Sequence, residues 1–539
     1  MTVLSILRAN TNLVLDGVSG AYSAVLARPA LSITISLNLL GYVIYRYVNS
    51  PWRKLPPGPT GYPILGSALK LLDASWLFNE CSKHGDVVYL NVAGQPTLIL
   101  NTQKAAADLL ERRAAAYSGR PRFIVGHELM CGGLFFAFEP HNDRWRRQRR
   151  VVHEGFNKSA ASRFRDAEAQ DAVRLAEALI KDPSAFRPLY HTYACSIVLS
   201  VTYDRPIRGS PEDEALRARI DDFVKRDQAA LRVGAHYVEL LPWMVHLPNW
   251  MARWKRDALE MYKDTTEFFM GLVDDVETRM NQGTARPCLT TTLVEESERF
   301  HVSRLEAAWS AGVMYAAGSE TTSNMLDWWT LAMVAFPDVQ KRAQAELDSV
   351  VGRGRLPSFT DRALLPYTVA VLREVLRWRT GIPFGLPHQA DEDGWYEGMF
   401  IPKGSIIMAN ILPCNRDPAV YGDDAEAFKP ERHLDEQGQL KAAPPATKDH
   451  GHVSFGFGRR ICVGQHVAED ALFIATATLL WTLEFKKVLD EHGQEIEVDY
   501  EGYESSGLTM RANHFECRIT PRFSDVHAFL AEEKELQAS

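Results

Sequence analysis

The densest group of reactive side chains lies in Phe455–Gly464, FGFGRRICVG, where Cys462 is set among Gly456, Gly458 and Gly464 with Arg459 and Arg460 beside it. Glycines let backbone N–H groups approach a sulfur, and nearby guanidinium groups favour thiolate over thiol. A thiolate held this way is a strong axial ligand for haem iron, pushing electron density toward bound oxygen so that O–O cleavage is favoured. No C-x-x-C-H occurs in the chain, so haem would be held without covalent attachment. A structural or simply reactive cysteine is the plainer use of such a residue. Zinc is a further reading, because His450, His452, Cys462 and His466 fall within seventeen residues. They lack the tight ligand pairs that zinc sites usually show.

Three other groups combine chemistry with spacing. Glu374 and Arg377 stand three apart, so on a helix they share a face and can pair, and Arg432 could close a buried triad. Breaking a buried pair of this kind costs about 3–5 kcal/mol, whereas an exposed pair is worth little. Gly318, Glu320 and Thr321 bring an acid and a hydroxyl beside a mid-helix glycine, whose cost of about 1 kcal/mol relative to alanine calls for a reason: ligand clearance or helix packing. Arg144–Arg150, RWRRQRR, puts Trp145 and Arg149 on one helical side, suited to a buried carboxylate, with the other arginines fanning outward.

These residues need elements to hold them. Apolar residues recur at helical spacing from about Val302 to Val334, until Phe336-Pro337 stops the helix, and a second helix runs from near Pro366 to about Arg379. Short β-like runs occupy Val87–Val92 and Thr97–Leu100, and a Gly- and Pro-punctuated β-rich stretch continues through Ile411. The expected fold is mainly α with a smaller β region. No internal repeat or long linker divides it.

Composition excludes several classes. Of 539 residues, 46% are hydrophobic and 24% charged, a balance that buries a large core and excludes disorder. The net charge of −8 argues against a general nucleic-acid binder. Seven cysteines without close pairs point to a reducing compartment rather than a disulfide framework. The first 54 residues carry five basic residues against one acid, Asp16, and Pro29–Tyr45 has no charge. This stretch is expected to be a retained membrane anchor, with Arg28 and Arg46 snorkelling at its ends. Leu55-Pro56-Pro57-Gly58-Pro59 then forms a stiff hinge. The expected organisation is a lumenal segment at 1–28, an anchor at 29–48, the hinge at 49–66, the catalytic body at 67–525 and a polar tail at 526–539.

Together these motifs resemble the cytochrome P450 family, the haem-thiolate monooxygenases. FGFGRRICVG matches the family's F-x-x-G-x-R-x-C-x-G, Glu374–Arg377 its E-x-x-R, and Phe428–His433 its P-E-R-F element, with His433 in place of the usual aromatic. Ala317–Thr322, AGSETT, resembles the oxygen-activation motif, and Trp145 with Arg149 gives W-x-x-x-R, all in the family's order.

The resemblance implies the P450 fold behind one transmembrane helix and a non-covalent haem b on Cys462. Phe455, Gly458, Gly464 and Ala317 would lie around the haem, and Trp145, Arg149, His388 and Arg460 at its propionates. Thr321 and Glu320 would relay protons to dioxygen. Glu374, Arg377 and Arg432 would hold the fold together without doing chemistry. The implied partners are NADPH-cytochrome P450 reductase, with cytochrome b5 as a second donor, membrane lipid, dioxygen and a small lipophilic substrate, with no nucleic acid. Only 77 residues follow Cys462, so no fused reductase is expected.

By resemblance to fungal microsomal members, the chain is expected at the endoplasmic-reticulum membrane with a cytosolic body, in secondary metabolism or detoxification. The outward arginines of 144–150 would steer an acidic electron donor. The Trp-rich run Leu240–Trp254 would be either core or a lipid contact. Pocket regions are expected around Phe123–Phe136, Val233–Leu241, Trp309–Ala317, Ile382–Leu386 and Ser506–Met510. Peroxide-driven chemistry at the same haem is the second enzyme reading, and a non-enzymatic haem- or lipid-binding protein the third.

Overall fold

The computed structural model describes residues 29–232 and 234–538. Two compact units are present. One joins Gly394–Pro402 to the residues up to Pro56, and the other holds the rest of the chain. The boundary falls inside the Pro-rich segment, and from Pro57 onward the backbone is already pinned, because the Pro57 carbonyl accepts from Tyr89 N–H at 2.8 Å.

The smaller unit contains α1 (Pro29–Val48) and a hairpin of Gly394–Tyr396 with Met399–Ile401. The spanning anchor expected at 29–48 is not found: among the described residues, no helix is long and apolar enough to cross a membrane. Thr34, Ser36, Asn38 and Gly41 interrupt the apolar run, and Arg46 charges its last turn. Ile33, Leu37, Leu40 and Ile44 on α1 are each more than half exposed. The segment expected at 1–28 lies outside the described residues.

The larger unit is mainly helical, as expected. Its helices include α2 (Asp143–Phe156), α3 (Arg165–Lys181), α4 (Phe186–Tyr203), α5 (Pro211–Leu231), α6 (Arg253–Asn281), α7 (Arg304–Ala335), α8 (Pro366–Trp378), α9 (Gln465–Thr482) and α10 (Val526–Ala538). A four-stranded sheet holds β1 (Val87–Val92), β2 (Gln95–Leu100), β3 (His388–Gln389) and β4 (Ile406–Ala409) in the order β1-β2-β4-β3. β2 pairs with β4 in parallel, Thr97 opposite Ile406, while β1–β2 and β3–β4 are antiparallel.

At 32 residues, α7 is the spine of this unit. Ser303 opens it with a capping box: its hydroxyl accepts from Glu306 N–H at 3.2 Å, and the Glu306 carboxylate accepts from Ser303 N–H at 2.8 Å. Trp309, Tyr315, Trp328 and Trp329 are buried on different sides of it, as in a helix surrounded by core. A Cβ at Gly318 would come within 2.7 Å of Val198 on α4, so helix packing explains this glycine. The expected polar tail is also corrected, because α10 buries Val526 and Leu530 and sets Phe529 against Trp481.

Candidate active site

One pocket receives side chains from the Cys462 loop, α7, α2 and the segment leading into β3. The loop reaches it through tight turns. Gly458 sits at φ +57°, and a Cβ there would strike the Leu110 carbonyl, so only glycine fits this approach. Cys462 N–H donates to the Phe455 carbonyl at 2.9 Å, folding the loop back on itself. Phe455 is held by edge and tilted contacts with His450 and His452 at 5.3 and 5.4 Å.

Five of the seven cysteines are buried and Cys462 is exposed, but its surface opens on the pocket rather than on bulk water. The surrounding protein therefore still desolvates the sulfur. Burial pushes the thiol's pKa up, opposed by the Gly464 N–H and the Arg149 guanidinium. This corrects the expectation for Arg459 and Arg460 as the thiolate's partners. Arg459 is exposed toward His141, and Arg460 donates to the Ser118 and Glu139 carbonyls at 3.0 and 2.8 Å. With burial opposing ionisation, a bound metal is what would hold the sulfur as thiolate.

The pocket's rim carries a cluster of basic side chains, Arg120 and His388 buried and Arg149 and Arg460 half-buried. Arg149 donates to the Ile461 carbonyl at 2.6 Å, and His388 Nδ1 lies 2.8 Å from the Tyr117 carbonyl. Arg460 stacks 4.1 Å from the Trp145 ring. Arg120, which no sequence motif marks, donates to the carbonyls of Ala137, Leu386 and Pro387 at 2.7–2.9 Å. All four partner backbone oxygens. Burial, then repulsion from Arg149, lowers Arg460 to about 9, and burial with the Arg460 charge holds Arg120 well below the usual range. His388 is likewise held well down, by burial and then by Arg120. A ligand bearing two carboxylates would relieve this repulsion, and iron protoporphyrin carries two propionates. The open thiol, glycine approach and cationic rim therefore fit a haem.

The facing helix separates two residues expected to act together. Ala317, Gly318 and Thr321 line the pocket, and the Thr321 hydroxyl donates to the Ala317 carbonyl at 2.8 Å. Glu320 does not reach it. Glu320 instead faces a polar cavity of about 680 Å³ on the other side of α7, where Gln228 and Thr509 donate to its carboxylate, the latter at 2.7 Å.

The cytochrome P450 family profile matches residues 56–503. The chain belongs to the cytochrome P450 family. It is 46% identical over 506 residues to a cytochrome P450 monooxygenase of Armillaria gallica, covering 94% of this chain and 97% of the relative. Cytochrome P450 monooxygenase 58 of Postia placenta is 40% identical, covering 93% and 94% of the two chains. Cytochrome P450 monooxygenase iboC of Amanita muscaria is 38% identical, covering 90% and 94%. The enzyme class is therefore that of an oxidoreductase, and the family implies a haem-iron cofactor.

In this P450 the expected triad is buried and fully partnered. Glu374 accepts from Arg377 Nε and Nη2 at 2.7 and 2.8 Å and from Arg432 Nε at 3.0 Å. His433, which departs from the family's aromatic, adds a contact of its own, Nε2 to Glu374 at 3.0 Å. Burial alone would raise the Glu374 pKa, but the hydrogen bonds from Arg377 and His433 bring it down to about 2.

Other expectations divide. The P450 pocket takes Phe135, Phe136, Val313, Met314, Ile382 and Leu386 from the anticipated regions. Trp309 is instead core, donating to Thr266, and Ser506 and Thr509 line the polar cavity. Val233 lies outside the described residues. The alternative zinc group does not assemble among the described residues, since His450 pairs with Glu469. On α2, Arg146 pairs with Asp143 at 2.7 Å and Arg147 with Glu306 at 3.3 Å, so part of the outward charge is already matched. In the Trp-rich loop, Leu240, Trp243 and Trp250 are exposed, whereas Trp254 packs on the core.

Proposed function

We propose that this P450 inserts one atom of dioxygen into a small lipophilic substrate, by hydroxylation or epoxidation, with electrons passed from NADPH by a separate reductase. The observation that carries this reading is one apolar pocket lined by both Cys462 and Thr321. Haem b, held by the Cys462 thiolate, supplies oxygen binding and transfer when bound. Arg120, Arg149, His388 and Arg460 would hold its carboxylates. Trp145 supports Arg460 through its ring, and the small Ala317 side chain would leave room in the pocket for the cofactor.

Phe135, Phe136, Val313, Ile382 and Leu386 give the substrate an apolar, water-excluding wall. Thr321 holds a proton on its hydroxyl inside the pocket. Glu320, hydrogen-bonded on the wet side of the same helix, exchanges protons with the polar cavity and resupplies Thr321 by way of helix-side water. The chemistry of the wall suits a small lipophilic metabolite of secondary metabolism or detoxification.

The electron donor is an acidic reductase that docks on the basic face of α2, with cytochrome b5 as a second donor. On this reading the enzyme sits at the endoplasmic-reticulum surface with its body in the cytosol, and the exposed Leu240, Trp243 and Trp250 support it as apolar side chains suited to resting on lipid. The test is NADPH consumption by purified enzyme with purified reductase and candidate lipophilic substrates. Reductase-dependent product with one oxygen atom from dioxygen is expected. Product with hydrogen peroxide alone, and none with reductase, would favour the peroxide reading.

A further inference from the structure

A second cluster of ligand-type side chains lies away from the Cys462 pocket. His191 and Cys195 are four residues apart on α4, so they present one face, and Asp221 on α5 closes against them. His191 Nε2 is 3.0 and 3.1 Å from the two Asp221 oxygens and 3.5 Å from Cys195 Sγ. One ligand atom from each residue lies within 4.8 Å of the others.

Tetrahedral zinc, with bonds of about 2.3 Å to sulfur and 2.0–2.2 Å to nitrogen and oxygen, puts its ligand atoms about 3.4–3.6 Å apart. The sulfur–nitrogen separation already matches, and the nitrogen–oxygen pair needs only a small opening. An ordinary His–Asp ion pair does not require a thiol on the same imidazole nitrogen. Cys195 is buried, while His191 and Asp221 line the wall of the 680 Å³ polar cavity, which leaves a water-accessible side for a fourth ligand.

A second observation points into the same spot. Tyr315 of α7 is wholly buried, and its hydroxyl is turned to the Cys195 thiol, where it forms only a weak, poorly aligned contact in place of a full hydrogen bond. Buried hydroxyls are rarely left this way. A metal-bound water or the metal-held sulfur would satisfy it. Arg217, whose charge reaches Asp221 and Cys195, is itself paired with Glu214 on its own helix.

We propose that His191, Cys195 and Asp221 form a divalent-metal site of the zinc class, with three protein ligands and a fourth, water-filled position on the polar cavity. Occupied, it would tie α4 to α5 independently of the haem. Metal binding would displace the proton that His191 shares with Asp221.

The experiment is equilibrium dialysis of chelator-treated, full-length holoenzyme against zinc sulfate, with metal analysis and zinc-edge X-ray absorption. One zinc per chain beyond the haem iron is expected, with one sulfur neighbour at about 2.3 Å and the remaining neighbours nitrogen or oxygen. Cys195→Ser, His191→Ala and Asp221→Asn should each weaken retention by more than about tenfold, leaving the haem spectrum unchanged. Cys517→Ser, at a half-buried cysteine outside the cluster, should have no effect. The absorption measurement needs only the unsubstituted protein, so misfolding of a variant does not mask the outcome. Absence of bound zinc, a shell without sulfur, or equal retention in all three variants would overturn the site.

Discussion

The two faces of α7 meet different surroundings. One face meets an apolar pocket that holds the Cys462 thiol, the hydroxyl residues Thr321, Thr322 and Ser454, and a rim of arginines that bond backbone carbonyls. The other meets a polar cavity lined by Glu320, Asp221, Asn324, Asp327 and Arg187. Successive residues on a helix point about 100° apart, so Thr321 and Glu320 are divided between these faces although they are adjacent in sequence. The dry face suits a buried cofactor and an apolar substrate, and the wet face a supply of protons. Neither can do the other's work.

Variants that break this division should do so in order of size. The largest effect is expected from Arg377→Ala, which leaves Glu374 buried with its principal partner gone. A loss of about 3–5 kcal/mol should prevent haem retention, read by thermal denaturation and haem content. The same cluster sets an acid limit. Because the Glu374 pKa is held down near 2, its stabilisation is complete above the ordinary carboxyl value of 4.5 and is lost as pH falls from there toward 2. Glu374→Gln should flatten stability over that window.

Next come the two faces themselves. Thr321→Ala and Glu320→Gln should each lower product formation by about hundredfold, with an unchanged haem spectrum and more NADPH oxidised per product. A Glu320→Gln enzyme with full coupling would show that the wet face does not supply protons. Arg120→Leu acts on the dry face, and loss of a charge-assisted contact should weaken haem retention by about tenfold without altering the solvent isotope effect. Smaller still is charge reversal at Arg146 and Arg147. Because both are already paired, reductase-driven turnover should fall by only a few-fold at low salt, while peroxide-driven turnover stays constant.

Much of this was legible in the residues. The Cys462 loop, the ends of the long helix and the Glu374–Arg377 pair depend on local spacing, which sequence displays. Arg120 was not, because its role comes from Ala137 and Leu386, brought beside it only by the fold. The charge beside the sulfur is hidden from the sequence for the same reason: Arg459 and Arg460 are near in sequence, but Arg149 of α2 is near in space. The facing of Glu320 was not legible either, because a step of about 100° lets helical neighbours share a wall, as Ala317 and Gly318 do, or part, as Glu320 and Thr321 do. His433 shows a departure from the family pattern that the structure turns into a hydrogen bond. An uncharged stretch is not by itself a span, because Thr34, Ser36 and Asn38 lower the apolarity of Pro29–Val48.

The central claim is that Cys462 holds haem iron as a thiolate on the dry face of α7. The reduced, carbon monoxide-bound absorption spectrum tests it most directly. The account predicts a strongly red-shifted thiolate-type Soret band in the unsubstituted enzyme and its loss in Cys462→Ala. The same band in both proteins, or no haem band in the unsubstituted enzyme, would contradict it.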